Sequence, residues 1–532
     1  MSSGVLAGLI FATSLAALTW WYWTKPAIPL PPGPKGNLIF GCALELRSSK
    51  AFWLTFAEYH KKYGPIVNAR MLHQNMVLVD DARIATELFE KRAAQYSDRY
   101  VSEVAKLGGW DHDIIFMEYN PTLKYYRTLL QRALNNRVAL DYIPLQEHEV
   151  RRYMRRLIEA PENFMKHIHL RVWIYHAGND MLLTRGNRLS ASIAIRMVYG
   201  YKVDSSDDKF VQAAEEVMAV FSDVLSPGRW MVEVFPLLRY VPAWFPFMIV
   251  KQRLPGWQKS IDAYENETFN YVLDQLAAGT AEDSFASKLL QPENGEVIDE
   301  EKKHHIKVLA SSLYGAGADT TVSAIQSFFL AMTLYPEVQA KAQAEISAYF
   351  QSRFSGVPQF ITLADRPNLP YTEALVRELL RWHPVLNLSG RRSAGKADET
   401  IVVDGKTYRI PAYTNVVVNV WKILHNPDVY PQPNRFMPER YLTSNPNPDP
   451  VPCAFGYGRR MCPGSHVAQQ TMWLAVSNTL AHFAISKSKD KNGVEITPSE
   501  IYTNDIISHP VPFECSIKPH KGHEAWIRDE VL

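Results

Sequence analysis

From about residue 50 onward, apolar residues recur at three- and four-residue spacing, as in "AFWLTFAEYHKKYG" from Ala51 and "PEVQAKAQAEISAYF" from Pro336. That period places them on one face of a helix. Alternation at period two is confined to short stretches, "PIVNARMLHQNMVLVD" from Pro65 and "IVVDGKTYRIP" from Ile401, the second with a hairpin turn at Asp404-Gly405. No internal repeat or low-complexity segment interrupts the pattern. The chain therefore predicts a mainly α body: one large helical domain with a small β-rich part.

The longest periodic segment runs from Asp299 to Leu334, just before Pro336. At ~1.5 Å per residue it spans roughly 50 Å, enough to cross a domain. Its middle, "LASSLYGAGADTTVSAIQSFFLAM", is apolar or small nearly all round, as in a buried helix. Gly315 and Gly317 in that middle cost about 1 kcal/mol each relative to alanine. Asp319 is equally out of place, since buried aspartates are rare unless paired. One reading is a helix that opens beside a ligand, with Asp319 and Thr320 carrying protons into a dry pocket. The other is a weakened helix with a capping-type Asp-Thr pair, and the pattern alone does not separate them.

Farther on, "RELLRWHP" sets Glu378 and Arg381 three apart, and His383-Pro384 ends the helix. Alone this is a surface ion pair worth a few tenths of a kcal/mol. "FMPERY" adds Arg440 among prolines. A carboxylate held between two guanidiniums would pin that irregular segment to the helix, with fork geometry lysine cannot reproduce.

The front end changes the picture. Val5 to Trp23 carries no charge, is long enough to span a bilayer, and ends in the aromatic run Trp20 to Trp23 followed by Lys25. No basic residue precedes it and no small-residue cleavage site follows, which argues against a cleaved signal peptide. The charge asymmetry places the amino terminus in the lumen and the body in the cytosol. "KPAIPLPPGPKG" is then a semi-rigid spacer. The expected organisation is an anchor over residues 1–24, a proline-rich hinge over 25–36 and a catalytic domain over 37–532.

With 47% apolar and 21% charged residues the chain is globular, and a net charge of +2 without a basic, aromatic-interleaved stripe argues against nucleic acid as a partner. Four cysteines, Cys42, Cys453, Cys462 and Cys515, are too few and scattered for a disulfide framework. Only Cys462 has a special neighbourhood, "FGYGRRMCPG". A thiolate is a strong soft metal ligand that needs positive surroundings. The glycines at 456, 458 and 464 let backbone approach a flat object, Phe455 can lie against it, and Arg460 can pair with an anionic edge. The helix expected from Ser465 points its amino terminus at the sulfur. These residues describe haem, with Cys462 as the axial ligand.

At this point the chain resembles the cytochrome P-450 haem-thiolate monooxygenases. Their haem-loop pattern F-x-x-G-x-R-x-C-x-G is met by Phe455, Gly458, Arg460, Cys462 and Gly464. Their distal-helix motif A-G-x-D-T-T falls on Ala316, Gly317, Asp319, Thr320 and Thr321, their E-x-x-R pair on Glu378 and Arg381, and P-E-R on Pro438 to Arg440. The resemblance covers nearly the whole chain and is nearest to fungal enzymes of secondary metabolism, through "VPAWFPFMIVKQR" and the cysteine loop itself. It implies that family's fold, haem b, and electrons from NADPH through a flavin reductase. It also implies oxidation of a small lipophilic substrate by a single-pass protein of the endoplasmic reticulum membrane.

By the same resemblance, Asp319 and Thr320 are the proton-handling pair, and Glu378, Arg381 and Arg440 are structural. Two departures concern the haem propionates. Leu123 stands where relatives usually carry tryptophan, while Arg127 remains; and "GRRS" offers Arg391 and Arg392 where His-Arg is usual, with Arg392 taken as the cofactor-binding residue. The substrate pocket is expected to draw on Val101 to Phe116, Leu313 and Tyr314, Val385 to Leu388, and Asp505 to Ser508. Trp244 to Met248 reads as either a membrane-dipping stretch near the substrate entrance or ordinary core. Roughly Val172 to Asn187, with Gly178 and Gly186 in what should be helix, reads as an insertion or a retained intron. A haem-thiolate enzyme that works without a reductase and a non-catalytic haem-binding protein are the rival readings. Asp319-Thr320 argues against both.

Overall fold

The computed structural model describes residue 13 and residues 28–531, apart from 39, 48, 50, 72–73, 166–188, 204–207, 226–228, 246–247, 293–294, 296, 394 and 396. The expected anchor over 5–23, save for residue 13, and the suspected insertion over 172–187 lie outside the described residues. Among the described residues, no helix is long and apolar enough to cross a membrane.

In chain order the elements that build the site are α1 (Phe52–Tyr63), β1 (Ile66–Met71), β2 (Gln74–Val79), α2 (Pro121–Leu134), α3 (Ile143–Glu159), α4 (Leu189–Tyr199), α5 (Lys209–Leu225) and α6 (Ile249–Ala278). There follow α7 (Glu300–Leu334), α8 (Pro336–Phe354), α9 (Pro370–Trp382), β3 (Leu388–Arg392), β4 (Glu399–Val403), β5 (Lys406–Ile410), β6 (Asn415–Asn419), α10 (Ser465–His482), β7 (Phe483–Lys487) and β8 (Cys515–Pro519). The architecture is thus mainly α with a small β part, as the periodicity predicts.

Local signals explain the boundaries. The Asp299 carboxylate accepts from the Lys302 N–H and two glutamates follow in the first turn, so α7 starts capped and charge-complemented. Asn120 caps α2 in the same way, with Pro121 at the first helical position. α9 opens on Pro370 and stops before His383-Pro384. The β4–β5 hairpin turns at Asp404 and Gly405, with φ of 48° and 75°, the paired left-handed conformation of a two-residue turn. One four-stranded sheet has the order β1-β2-β6-β3, antiparallel except where β2 meets β6.

α7 is the axis of the molecule, with most residues from Ile306 to Thr333 buried and the main break at Gly315–Gly317 and Asp319–Thr320. Its amino-terminal half belongs to an apolar core with α2, α4, α5 and α6, and its carboxy-terminal half to a second core with α3, α8, α9 and α10. Between the two halves fall Gly315 and Gly317, and the helix stays continuous through both. A Cβ at Gly317 would stand 3.5 Å from the Ala194 methyl of α4, and one at Gly315 would stand 3.4 Å from the Met218 sulfur of α5. Both are ordinary contact distances, so the helices that cross α7 there do not by themselves require glycine.

Candidate active site

A cavity of about 1240 Å³ lies between the middle of α7 and the loop that carries Cys462. One wall is Phe455, Gly456, Cys462, Pro463 and Gly464; the other is Gly315, Ala316, Gly317, Thr320 and Thr321. The cysteine loop is closed on itself by the Cys462 N–H donating to the Phe455 carbonyl at 2.9 Å. Gly456 turns it with φ of 81°. A Cβ on Gly464 would meet nothing within 4 Å, so the backbone there borders open space. Gly458 differs from the expectation. It does not line the cavity, and a Cβ on it would fall 1.9 Å from the Phe89 carbonyl oxygen, so that glycine admits a neighbouring backbone rather than a ligand.

Burial pushes the Cys462 thiol above its ordinary value, while the Gly464 N–H and the Arg127 charge pull it back. Cys453 has no such help: burial pushes its thiol up to about 11, relieved only by a hydrogen bond from Tyr457. Of the two cysteines that line the cavity, Cys462 is the one whose surroundings suit a thiolate ligand.

Four guanidiniums, Arg99, Arg127, Arg391 and Arg460, line the same cavity. None of them forms an ion pair among the described residues, and burial followed by mutual repulsion depresses Arg391 well below its ordinary value and Arg460 to about 9. An arginine does not give up its proton in a protein, so the repulsion marks a place for anions. The Arg99 Nε is enclosed with no hydrogen-bond partner. Arg460 also ties the loop to the segment before α2, donating from Nε to the Ser97 carbonyl at 2.9 Å and from Nη2 to the Met117 carbonyl at 2.6 Å.

Arg392 is not part of this cluster. It follows Arg391 on β3, so its side chain takes the opposite face of the strand, and its guanidinium lies 5.2 Å from the Tyr413 ring centroid. Arg391 is the residue of that pair that reaches the cavity. Arg99 has no local motif to reveal it. Leu123 is buried and lines the cavity one turn before Arg127, so that position offers no indole N–H. A flat cofactor with one metal and two carboxylates on one edge fits this donor set: a thiol beneath open backbone, an aromatic face at Phe455, and unneutralised cations at the rim. Haem meets that description.

Opposite the sulfur, the Thr320 hydroxyl faces the cavity and donates to the Ala316 carbonyl at 2.9 Å. Asp319, next in sequence, is not in the lining; its Oδ2 lies 3.3 Å from His509 Nε2. The rest of the wall is largely apolar and draws on the segments expected from sequence: Ser102, Trp110, Phe116, Leu313, Tyr314, Val385, Leu388, Ile506 and Ile507. It also draws on Val217, Met218 and Phe221 of α5, on Tyr264 of α6, and on Phe52 and Met76, which no motif marks.

Behind the cysteine loop, Glu378 is fully buried. Arg381 donates to it in a fork, Nε and Nη2 each at 2.8 Å, and Arg440 Nε donates at 3.1 Å. The Met437 N–H adds a fourth donor at 2.9 Å. Arg381 Nη1 reaches the Leu424 carbonyl and Arg440 Nη1 the Pro431 carbonyl, both at 3.0 Å. The surface-pair reading is excluded: the carboxylate pins the irregular segment to α9.

A helical body, a cysteine bordering a largely apolar cavity, a cluster of arginines without ion pairs among the described residues and a hydroxyl on the long helix opposite define a haem-thiolate protein. The chain belongs to the cytochrome P450 family, whose model matches residues 31–516. It is similar to cytochrome P450 monooxygenase 208 of Postia placenta, 37% identical over 93% of this chain and 91% of that protein. It is likewise similar to the cytochrome P450 monooxygenases claR of Ampulloclitocybe clavipes, at 35% over 93% and 87%, and ppsD of Aspergillus oryzae, at 32% over 97% and 94%. The protein is an oxidoreductase of the monooxygenase class.

Proposed function

We propose that this enzyme hydroxylates or otherwise oxidises a small lipophilic molecule in fungal secondary metabolite biosynthesis, with electrons from NADPH delivered by a flavin reductase. The observation that carries the reading is the cavity itself: largely apolar walls, one thiol ligand and one hydroxyl facing it across the open space. When bound, haem supplies oxygen activation and insertion of one oxygen atom into a C–H bond. The residues supply the rest. Cys462 would hold the metal as a thiolate, and Arg99, Arg127, Arg391 and Arg460 would receive the carboxylates. The Thr320 hydroxyl holds a proton at the cavity wall, and Asp319 replenishes it. Trp110, Phe116 and Phe221, whose ring centroids stand 5.3–6.3 Å apart, exclude water and orient an apolar substrate.

Anchorage in the endoplasmic reticulum membrane, with the catalytic domain cytosolic, belongs to the same reading. Leu237, Tyr240 and Trp244 support it, being 75–79% exposed before α6, a surface suited to a lipid interface. Met248 at the end of that stretch is core.

The test is the full-length holoenzyme reconstituted with reductase in lipid vesicles. Candidate lipophilic compounds are scored first by the ferric spin-state shift, then by NADPH consumption and by incorporation of labelled oxygen from dioxygen gas. Turnover supported by peroxide but never by NADPH and reductase would overturn it.

A further inference from the structure

Asp319 needs a source of protons, and the structure shows what stands beside it. Asp319 and Gln326 lie seven residues apart on α7, two turns along one face. The His509 imidazole spans them, with Nε2 at 3.3 Å from Asp319 Oδ2 and Nδ1 at 3.1 Å from Gln326 Oε1. Both ring nitrogens thus face oxygens that can accept a hydrogen bond.

The loop that presents the ring is built rather than loose. Ser323 of α7 donates to the Ser508 carbonyl at 2.6 Å, and the Ser508 N–H donates to the Val385 carbonyl at 2.9 Å. The His509 N–H reaches Thr503 Oγ1 at 3.2 Å, while the Thr503 N–H donates to the His509 carbonyl at 2.8 Å. Tyr502 adds a bond to Ser327 of α7 at 3.1 Å. The His509 side chain is 13% exposed, the Asp319 side chain 20%, and neither lines the cavity, so the pair sits on the flank of α7 away from the substrate.

We propose that His509 is a positioning residue that holds Asp319 and reloads it with protons from outside the cavity. The His509 Nε2–H bond breaks as an O–H bond forms on the Asp319 carboxylate, which then passes that same proton toward the Thr320 hydroxyl and is left ionised again. The imidazolium becomes neutral imidazole, and water returns the proton to it. No electron moves in this step. Gln326 orients the ring by accepting from Nδ1. The inference rests on the reading of Asp319 and Thr320 as the proton-handling pair.

The deciding measurement is ¹⁵N NMR of histidine-labelled full-length holoenzyme in the carbon-monoxide form. Both His509 nitrogens are expected at imidazolium-like shifts, and Asp319→Asn or Gln326→Leu should move them toward the neutral pattern. Unmoved shifts in both variants would overturn the coupling. The second arm uses 7-ethoxycoumarin as the probe, with product scored per NADPH. His509→Ala should lower coupling on the order of tenfold and raise the solvent deuterium isotope effect. Its reduced carbon-monoxide spectrum should stay unchanged. Should His509→Ala fail to fold, His509→Gln decides, since it keeps a hydrogen bond but carries no transferable proton. Full coupling in either His509 variant, with Thr320→Ala uncoupled, would sink the role of His509 alone. Full coupling in Thr320→Ala and Asp319→Asn as well would sink the underlying reading.

Discussion

Glu378→Ala removes one carboxylate and leaves two guanidiniums facing each other in the core. All three side chains are at most 1% exposed, so water cannot replace what is lost. At about 4 Å between charge centres and an effective dielectric near 20, each arginine gains roughly 4 kcal/mol from the carboxylate. That attraction offsets the cost of having desolvated all three groups, and removing one member of such a set typically costs about 3–5 kcal/mol. Against a total stability of about 5–15 kcal/mol, the folded-to-unfolded ratio falls by a factor of roughly two hundred to several thousand. The Met437 N–H loses its acceptor too, which frees the segment behind the cysteine loop. Little haem-loaded protein should be recovered, and whatever folds should show a lower urea midpoint by tryptophan fluorescence. Glu378→Gln, which keeps one acceptor oxygen without the charge, should fall between. A Glu378→Ala protein that is soluble, loads haem fully and unfolds within about 1 kcal/mol of the parent would refute the staple and restore a minor surface pair.

Cys462→Ser should abolish the thiolate-type red-shifted band in the reduced carbon-monoxide spectrum, whereas Cys453→Ser should retain it; survival of the band in Cys462→Ser disproves the ligand. Thr320→Ala should bind haem normally but release more peroxide and less product per NADPH. Arg391→Leu should weaken haem retention, measured by transfer to apomyoglobin, by tenfold or more, the scale of one buried charged hydrogen bond; Arg392→Leu should change it little. Acid should also destabilise the fold through His425 and His482, both pushed down to about 3, first by burial. Their folded values lie below the ordinary value of about 6.5, so between pH 6.5 and 3 the unfolded chain binds the extra protons and stability falls with pH. At pH 5 each costs about 2 kcal/mol, read as a drop in urea midpoint relative to pH 7.5.

What could be read from the chain was what sits close together in it. The cysteine loop, the Asp404-Gly405 turn, the cap on α7 and the Glu378–Arg381 spacing are each written within ten residues, and the structure has them in place. Arg440 was legible only because prolines around it forbid regular structure. Arg99 carries no such mark: it joins Arg391 and Arg460 solely because the segment before α2 folds over the cysteine loop, where Arg460 holds it. The choice between Arg391 and Arg392 turns on the alternation of a strand too short to announce itself. Gly458 looks like a ligand-facing glycine, but it answers to the Phe89 backbone, which lies far off in sequence.

The arginine cluster ties these threads to function. Four guanidiniums converge on the cavity with no ion pair among the described residues, although Asp98 and Asp113 lie near enough to ease Arg460 and Arg99, and three of them reach backbone carbonyls of the segments that wall the cavity. Their repulsion acts on the same joints that hold the cysteine loop in place. A ligand that brings two carboxylates to this rim therefore does two things at once: it neutralises the cluster, and it binds only the folded chain, which stabilises that chain by mass action. Haem loading and folding are then one equilibrium. A rim substitution such as Arg391→Leu should accordingly lower the stability gained on adding haem while leaving, or even raising, the stability of the haem-free protein.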